Sequence, residues 1–236
     1  MNRKWKSFLV ELEDQSWFPN WMRQYQVDFL GGVSRLTRLY QPCAELLNSF
    51  EPSKIVDLAS GNGQSAEIFL NHPKGVIVNY TDKFPSEDQH FEVTKLDLLK
   101  DDLPQADLYT ILNGLHHFDQ NQIIAIIERI PPKANFLFIE PIGPRLGSLL
   151  KVGFSTLILP FFLVPFLRTF RWDRLFITYI LPIGPLICFY DGVVSVIKSY
   201  SLGELERIAL QTNRENRRVK AGHLRSFFTT FNYLSS

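Results

Sequence analysis

Two adjacent histidines, His116 and His117, are the best-placed residues in the sequence for acid–base chemistry. They follow a predicted buried strand, residues 106–112, and so fall at the edge where parallel sheets bind ligands. An unperturbed histidine titrates near neutral pH, which suits a general base. Adjacent histidines also pack on each other or bond to backbone, so a structural role stays open. Glu140 and Tyr25 are weaker candidates for contact with a substrate.

A glycine-rich turn follows the first predicted strand, residues 54–58. Gly61 and Gly63 let the backbone turn tightly and approach a ligand, and a helix predicted over residues 64–70 would offer free N–H groups. The pattern does not identify the ligand. Residues 61–66 also satisfy the dinucleotide pattern G-x-G-x-x-A, with Asp82 about 20 residues further on.

Asp57 at the end of that strand bears on the choice of ligand. A pyrophosphate would meet a carboxylate of like charge there, whereas a cationic amino group would be attracted. S-adenosylmethionine carries such an amino group and a sulfonium. Asp57 therefore favours S-adenosylmethionine over NAD.

Four segments resemble the class I S-adenosylmethionine-dependent methyltransferases. Residues 57–64, Asp-Leu-Ala-Ser-Gly-Asn-Gly-Gln, resemble motif I, D/E-x-G-x-G-x-G, with Ala59 in place of the first glycine. Residues 80–83 resemble the acidic end of strand two, whose carboxylate takes the ribose hydroxyls. Residues 96–98 resemble the segment that caps the adenine. Residues 112–118 resemble the LHHF segment after strand four in many members that act on small molecules.

This resemblance implies S-adenosylmethionine as cofactor, S-adenosylhomocysteine as product, and no metal. The cofactor-binding residues that it implies are Asp57, Ala59, Ser60, Gly61, Asn62, Gly63, Asp82, Lys83, Asp97, Leu98 and Asn113. Simpler roles remain open for three of them. Asp82 would begin a turn before Pro85, Asp97 would cap the turn after it, and Asn113 would be a turn residue.

The alternation of strands and helices predicts an α/β fold, a doubly wound and mostly parallel seven-stranded sheet like that of the class I methyltransferases. The strands are predicted over residues 54–58, 75–80, 91–95, 106–112, 135–139, 218–224 and 227–234, with helices over 119–130 and 201–210. One domain is expected over residues 1–236. It comprises an N-terminal helical cover (1–50), a cofactor-binding half (51–141), an apolar helical insertion after strand five (142–200), and a last helix with the terminal strands (201–236). Within the cover, Gly31 and Gly32 are expected to separate two helices, and Pro42 to open or bend the second.

The insertion contains two stretches without charge, residues 152–167 and 175–190. Each is shorter than the roughly 20 residues that a membrane-spanning helix needs, and each contains two prolines. Three interpretations compete: a lid that lines an apolar acceptor pocket, a hairpin that dips into a membrane, and a dimer interface. We favour the lid, because ligand pockets are mostly apolar.

Composition narrows the remaining classes. The net charge of +1 gives no electrostatic reason to expect a nucleic-acid partner. Cys43 and Cys188 lie far apart in the sequence, so neither a disulfide framework nor a zinc site is expected. Glu11, Glu13 and Asp14 interrupt the N-terminal region, which argues against a secretory signal. A cytoplasmic location, with membrane association as an option, is expected.

The sequence therefore predicts a methyltransferase that uses S-adenosylmethionine on a small, hydrophobic acceptor, at oxygen or carbon. The alternatives are an NAD(P)-binding oxidoreductase, and a binding module that retains the cofactor fold without catalysis.

Overall fold

A twisted sheet organises the fold of the computed structural model, which describes residues 6, 8–63, 75–85, 92–167, 170–212, 218–225 and 229–236. Within these residues, seven strands form one sheet in the order β3-β2-β1-β4-β5-β7-β6. The strands are β1 (Lys54–Leu58), β2 (Ile77–Asp82), β3 (Val93–Lys95), β4 (Leu108–Leu112), β5 (Asn135–Glu140), β6 (Lys220–Arg225) and β7 (Thr230–Ser235). The first five pair in parallel, and β7 runs antiparallel to both β5 and β6. The predicted fold class is thereby confirmed.

Strand β2 is shifted along the chain relative to its prediction. It was expected over residues 75–80, but Gly75 has φ +115° and stands before the strand. At the other end, Asp82 pairs with Lys95 of β3, so the ladder extends to that carboxylate. Asp82 is therefore the last residue of β2 rather than part of the turn after it.

Helices cover both faces of the sheet. They are α1 (Asn20–Thr37), α2 (Ala44–Asn48), α3 (Gln120–Arg129), α4 (Leu146–Ile158), α5 (Pro160–Leu163), α6 (Trp172–Leu175), α7 (Ile183–Lys198) and α8 (Leu202–Thr212). On one face, Ile123, Ile127 and Ile208 pack against Tyr109 and Phe136 in a buried core. The helix predicted over residues 64–70 lies outside the described residues.

Helix α1 corrects one prediction, because it runs without a break through Gly31 and Gly32. Both glycines are buried, and a Cβ on Gly32 would come within 2.7 Å of the Leu167 side chain. The glycine allows close packing between the cover and the insertion. The chain instead leaves the helix at Arg38, and Pro42 lies in a short 3-10 turn that leads into α2.

The insertion after β5 is helical, as expected, and α4 packs along α7. Gly192 makes this close approach possible, since a Cβ there would lie 3.0 Å from Val152 and Thr156. A π-helical turn, Phe176–Ile180, follows α6, and the run from Trp172 to Ile180 is bent by 80° from α7. A separate buried cluster, which includes Tyr25 and Phe29 of α1, joins this insertion to the cover.

Candidate functional site

A cavity of about 390 Å³ lies at the carboxyl ends of β1, β2 and β4. Eleven of the thirteen predicted site residues line it: Ala59, Ser60, Gly61, Asn62, Asp82, Lys83, Asp97, Leu98, Asn113, His116 and His117. Asp57 and Gly63 are not part of its wall. The sheet order explains the convergence, because the carboxyl ends of neighbouring parallel strands meet at one edge.

The glycine turn after β1 runs through left-handed backbone at Ala59 (φ +53°), Gly61 (φ +62°) and Gly63 (φ +77°). Glycine adopts this conformation without strain, whereas an alanine does so at a cost of about 1–2 kcal/mol. Ala59 thus departs from the methyltransferase pattern at a position whose backbone conformation favours glycine. Above the turn, a Cβ on Gly61 would meet Val27 of α1 at 3.1 Å, so the cover lies directly over it.

Asp57 is enclosed below this turn. Its side chain is buried, and its Oδ1 accepts a hydrogen bond from the Thr110 hydroxyl at 2.6 Å. Burial raises the pKa of Asp57 to about 7, although the Thr110 bond acts in the opposite direction. The carboxyl therefore exerts less charge on a ligand at neutral pH than an exposed aspartate would. Its attraction for a cationic ligand stays a prediction.

Asp82, at the end of β2, holds the glycine turn in place. Its Oδ2 accepts from the Gly61 N–H and its Oδ1 from the Phe84 N–H, both at 2.8 Å. Each carboxylate oxygen has two lone pairs, so both can also accept hydroxyl groups from a ligand in the cavity. Burial raises the pKa of Asp82 despite these two bonds. The turn-forming role and the ligand-binding role are therefore compatible.

Asp97 and Lys83 both line this cavity and form an ion pair, with Lys83 Nζ 3.5 Å from Asp97 Oδ2. The Leu99 N–H donates to Asp97 Oδ1 at 3.1 Å. This is the capping bond that the sequence analysis left open as a simpler role for Asp97. Leu98 adds an apolar wall. These residues offer a polar and an apolar surface side by side, as a purine ring requires.

Asn62 links the turn to the cover. Its amide nitrogen donates to Asp28 Oδ1 of α1 at 2.6 Å, and Asp28 Oδ2 accepts from Arg174 in the insertion. All three side chains are buried. The turn, the cover and the insertion are thus joined through one carboxylate.

Asn113 follows β4 in left-handed backbone, with φ +58°. Its side-chain Oδ1 is buried, and no donor among the described residues reaches it. A buried acceptor without a partner costs free energy, about 1–3 kcal/mol. Because Asn113 lines the cavity, a donor from a ligand would satisfy this atom.

His116 is surrounded by carboxylates. Its Nδ1 lies 3.1 Å from Glu140 and its Nε2 lies 3.6 Å from Glu11. Burial would lower the pKa of His116, but these two carboxylates outweigh it and hold the pKa well above the usual value. The raised pKa favours the protonated ring, and the catalytic role expected of His116 from the sequence stays a prediction.

His117 is held in a similar way by the N-terminal segment. Its Nδ1 lies 3.0 Å from Asp14 and 3.6 Å from Glu11. Burial opposes protonation, but Glu11 and Asp14 raise the pKa of His117 to about 9. The histidine pair is best described as the cationic anchor of the cover.

Glu11 lies at the centre of this cluster of histidines and carboxylates. Ligand atoms of Glu11, His116 and His117 lie within 4.8 Å of one another, a spacing that one metal ion could bridge. However, Lys198 Nζ lies 2.8 Å from Glu11 Oε1 and occupies the cationic position there. Lys198 therefore supplies a positive charge to the same carboxylate that the two histidines approach.

Glu13 is a site residue that sequence reasoning missed. Its side chain is 19% exposed and lines the cavity of about 390 Å³, with Oε1 3.8 Å from His117 Nε2. Burial raises the pKa of Glu13 to about 7; His117 opposes this, and the neighbouring Glu11 adds to it. Of the residues in the cavity wall, Glu13 has a pKa that suits proton transfer near neutral pH.

A second cavity, of about 750 Å³, adjoins the first. Its wall includes Val152 and Thr156 of α4, Cys188 of α7, and Ile142 after β5. Four residues line both cavities: Glu13, Leu30, Asn113 and Ser195. The insertion therefore contributes a largely apolar chamber beside the glycine turn.

Arg23 and Phe84 were also missed. The Arg23 guanidinium lies 4.2 Å above the centre of the Phe84 ring, and both side chains line the first cavity. Arg23 also donates through Nε to the Glu13 carbonyl at 2.9 Å. The one available signal for Phe84 was its position two residues after Asp82.

No protein-family profile matches the chain, and no curated protein matches it in sequence. Solved structures do resemble it. Human N-acetylserotonin methyltransferase in complex with SAM aligns with a TM-score of 0.56 and 14% identity, over 89% of this chain. The chain spans 55% of the length of that protein.

Two plantazolicin methyltransferases are also similar. BpumL, in complex with SAH, has a TM-score of 0.51 and 13% identity over 92% of this chain and 84% of its own. BamL, with SAH and a triazolic desmethyl analogue, has a TM-score of 0.52 and 8% identity over 91% and 97%. Together with the strand order, these likenesses show that the chain has the class I methyltransferase fold.

Proposed function

We propose that this protein is an S-adenosylmethionine-dependent methyltransferase that acts on a small, apolar acceptor. The observation that carries the proposal is the meeting of two cavities at Asn113 and Glu13. One cavity has the polar wall of a cofactor site, and the other has the apolar wall of an acceptor site. Methyl transfer requires such adjacent sites, because the two reactants must be aligned in line.

The residues around the first cavity fit S-adenosylmethionine. Asp82 has lone pairs left for the ribose hydroxyls, and Leu98 with Asp97 offers a wall for the adenine. Asn113 Oδ1 is a buried acceptor that lacks a donor, which the cofactor's amino group would supply. When bound, the cofactor supplies a methyl group already activated by the sulfonium, so alignment contributes much of the catalysis.

Glu13 is our proposed general base. It lines both cavities, and a base is needed there if the acceptor is a hydroxyl or a carbon acid. A carboxyl with a pKa of about 7 combines a useful ionised fraction with adequate basicity. This assignment replaces His116 and His117, whose raised pKa values favour the protonated form.

Calorimetry with S-adenosylhomocysteine and with NADH tests the cofactor. Binding of S-adenosylhomocysteine, and not of NADH, is expected; the reverse result would favour an oxidoreductase instead.

The class of acceptor is tested with a panel of aromatic and aliphatic alcohols and phenols, matched by polar analogues of similar size. Turnover only with the polar analogues would contradict the acceptor proposal.

A further inference from the structure

The outer face of the insertion exposes an unusual amount of apolar surface. In the described part of the chain, 15 of the 24 exposed large apolar side chains lie between Leu146 and Tyr190. Seven of them are 65–78% exposed: Leu146, Leu150, Phe154, Phe162, Phe166, Trp172 and Ile180. Such a concentration of exposed apolar side chains in one insertion points to an interaction surface, since leaving apolar surface in water is unfavourable.

Length and composition indicate the nature of the partner. The helical run Leu146–Phe166 has 21 residues, and in its most apolar window, whose mean hydropathy is 1.9, 22% of the residues are buried. By length and composition alone it could cross a membrane. A core helix of similar hydropathy would be mostly buried, whereas this one presents its apolar side chains outward.

Buried polar contacts hold the insertion to the domain and favour contact with a membrane surface over crossing. Asp191 of α7 accepts from the Leu12 N–H and from Gln26 Nε2, each at 2.7 Å. Arg174 makes a buried ion pair with Asp28 of α1. The inner face of the insertion is therefore committed to the protein, and only its outer face can meet lipid.

Charge distinguishes a bilayer from another apolar partner. Residues 145–190 contain five arginines and lysines and a single acid, Asp173. Arg174 is buried against Asp28 and Arg171 pairs with Asp173, so neither adds net positive charge to the outer face. Arg145 and Lys151 are exposed beside the apolar side chains. Basic residues next to exposed aromatic residues such as Trp172 suit a headgroup layer with anionic lipids.

The wall of the 750 Å³ cavity includes exposed residues of this insertion. Phe154 is 69% exposed and also lines the 750 Å³ cavity, as do Arg145 and Lys151. A molecule dissolved in the acyl layer could therefore enter the cavity without crossing water.

We propose that the outer face of residues 146–190 docks on the surface of an anionic phospholipid bilayer. Given the proposed function, the apolar acceptor is then a lipid-soluble molecule taken from that bilayer. The docking itself depends only on the exposed surface and its charge.

Flotation of the full-length chain tests the docking, with vesicles of phosphatidylcholine alone or mixed with phosphatidylglycerol. Binding is expected with the mixed vesicles and should weaken as salt is raised. The double variant Phe162→Glu/Phe166→Glu should lower the partition coefficient by roughly tenfold or more, because two large apolar side chains are lost from the contact. Leu210→Glu, which changes an exposed leucine on α8, is the matched control and should bind like the unmodified chain.

Trp172 provides a measurement that does not depend on a charged variant. Brominated acyl chains should quench the part of the tryptophan emission that Trp172→Phe removes. No vesicle binding, or equal binding by the double variant, would overturn the proposal. The proposal would also be overturned if the unmodified chain forms a dimer, does not bind vesicles, and loses the dimer in the double variant. The face would then be an interface between two copies of this chain. Binding of S-adenosylhomocysteine by the same preparations is measured separately, so failure of docking and failure of the methyltransferase proposal are distinguishable.

Discussion

His117 Nδ1 lies 3.0 Å from the carboxylate of Asp14, so a residue after the fourth strand is tied to the segment that begins the cover. The interaction spans 103 positions of the sequence. The contact between the N-terminal segment and the residues after β4 therefore depends in part on the charge of the His117 imidazole.

Stability should therefore depend on pH through His117. Its pKa is about 9 in the folded chain and about 6.5 when unfolded, so protonation stabilises the fold below about pH 6.5. That contribution, at most about 3 kcal/mol, is lost as the pH rises through about 9. Thermal unfolding of the chain and of His117→Gln should give stabilities that converge between about pH 7 and pH 10.

The exposed His223 on β6 supplies the control for this experiment. His223→Gln should keep the full pH dependence of the unmodified chain. A constant stability difference between His117→Gln and the unmodified chain across this range would contradict the assigned pKa.

Glu13→Gln should lower kcat by roughly 10²–10⁴-fold if the acceptor must lose a proton. In the unmodified chain, activity should rise with pH through about 7, as the Glu13 carboxyl ionises. The variant should lose this limb of the profile while S-adenosylhomocysteine affinity changes little. Glu13→Asp, which keeps a carboxylate, should retain the limb, and a limb that survives in Glu13→Gln would exclude Glu13 as the base.

Asp82→Ala should weaken S-adenosylhomocysteine binding by about 1–3 kcal/mol, because charge-assisted hydrogen bonds to the ribose are lost. Part of the effect would come from the Gly61 and Phe84 N–H groups, which lose their acceptor. Calorimetry measures the change, with the exposed Asp102→Asn as control. Unchanged affinity in Asp82→Ala would remove this residue from the cofactor site.

Ala59→Gly should raise the free energy of unfolding by up to about 1 kcal/mol, because glycine accepts φ +53° without strain. Ala44→Gly should do the opposite, since Ala44 has helical backbone with φ −60° and ψ −42°. Denaturant unfolding of both variants compares the two signs directly. A loss of stability in Ala59→Gly would mean that the alanine methyl contributes packing that outweighs the strain.

The fold was predictable because its signals are local. The buried run of β1, the turn after it and the amphipathic helix α3 each carry their own pattern, and a parallel sheet then brings Asp82, Asp97 and Asn113 to one edge. The breaks in α1 were misjudged for the opposite reason. Gly32 is explained by Leu167, a residue of another element that no local pattern reveals.

The chemistry of the site depended on contacts between distant segments. His116 resembled a base because an isolated imidazole titrates near neutrality, but Glu11 and Glu140 change that balance only once the chain is folded. Glu13 gave no signal in the sequence, since its pKa depends on burial under a cover whose position could not be inferred. Nothing in the sequence indicated that the Asn62 amide donates to Asp28; its predicted contact with the cofactor stays a prediction, since Asn62 lines the cavity.

Asp28 gives one carboxylate oxygen to Asn62 in the cofactor turn and the other to Arg174 in the insertion. A ligand that reorients the turn would therefore act on the contact that holds α6 of the insertion to α1. If the proposed function holds, binding of the cofactor and binding of the acceptor should therefore be coupled through Asp28, and each ligand should change the affinity for the other.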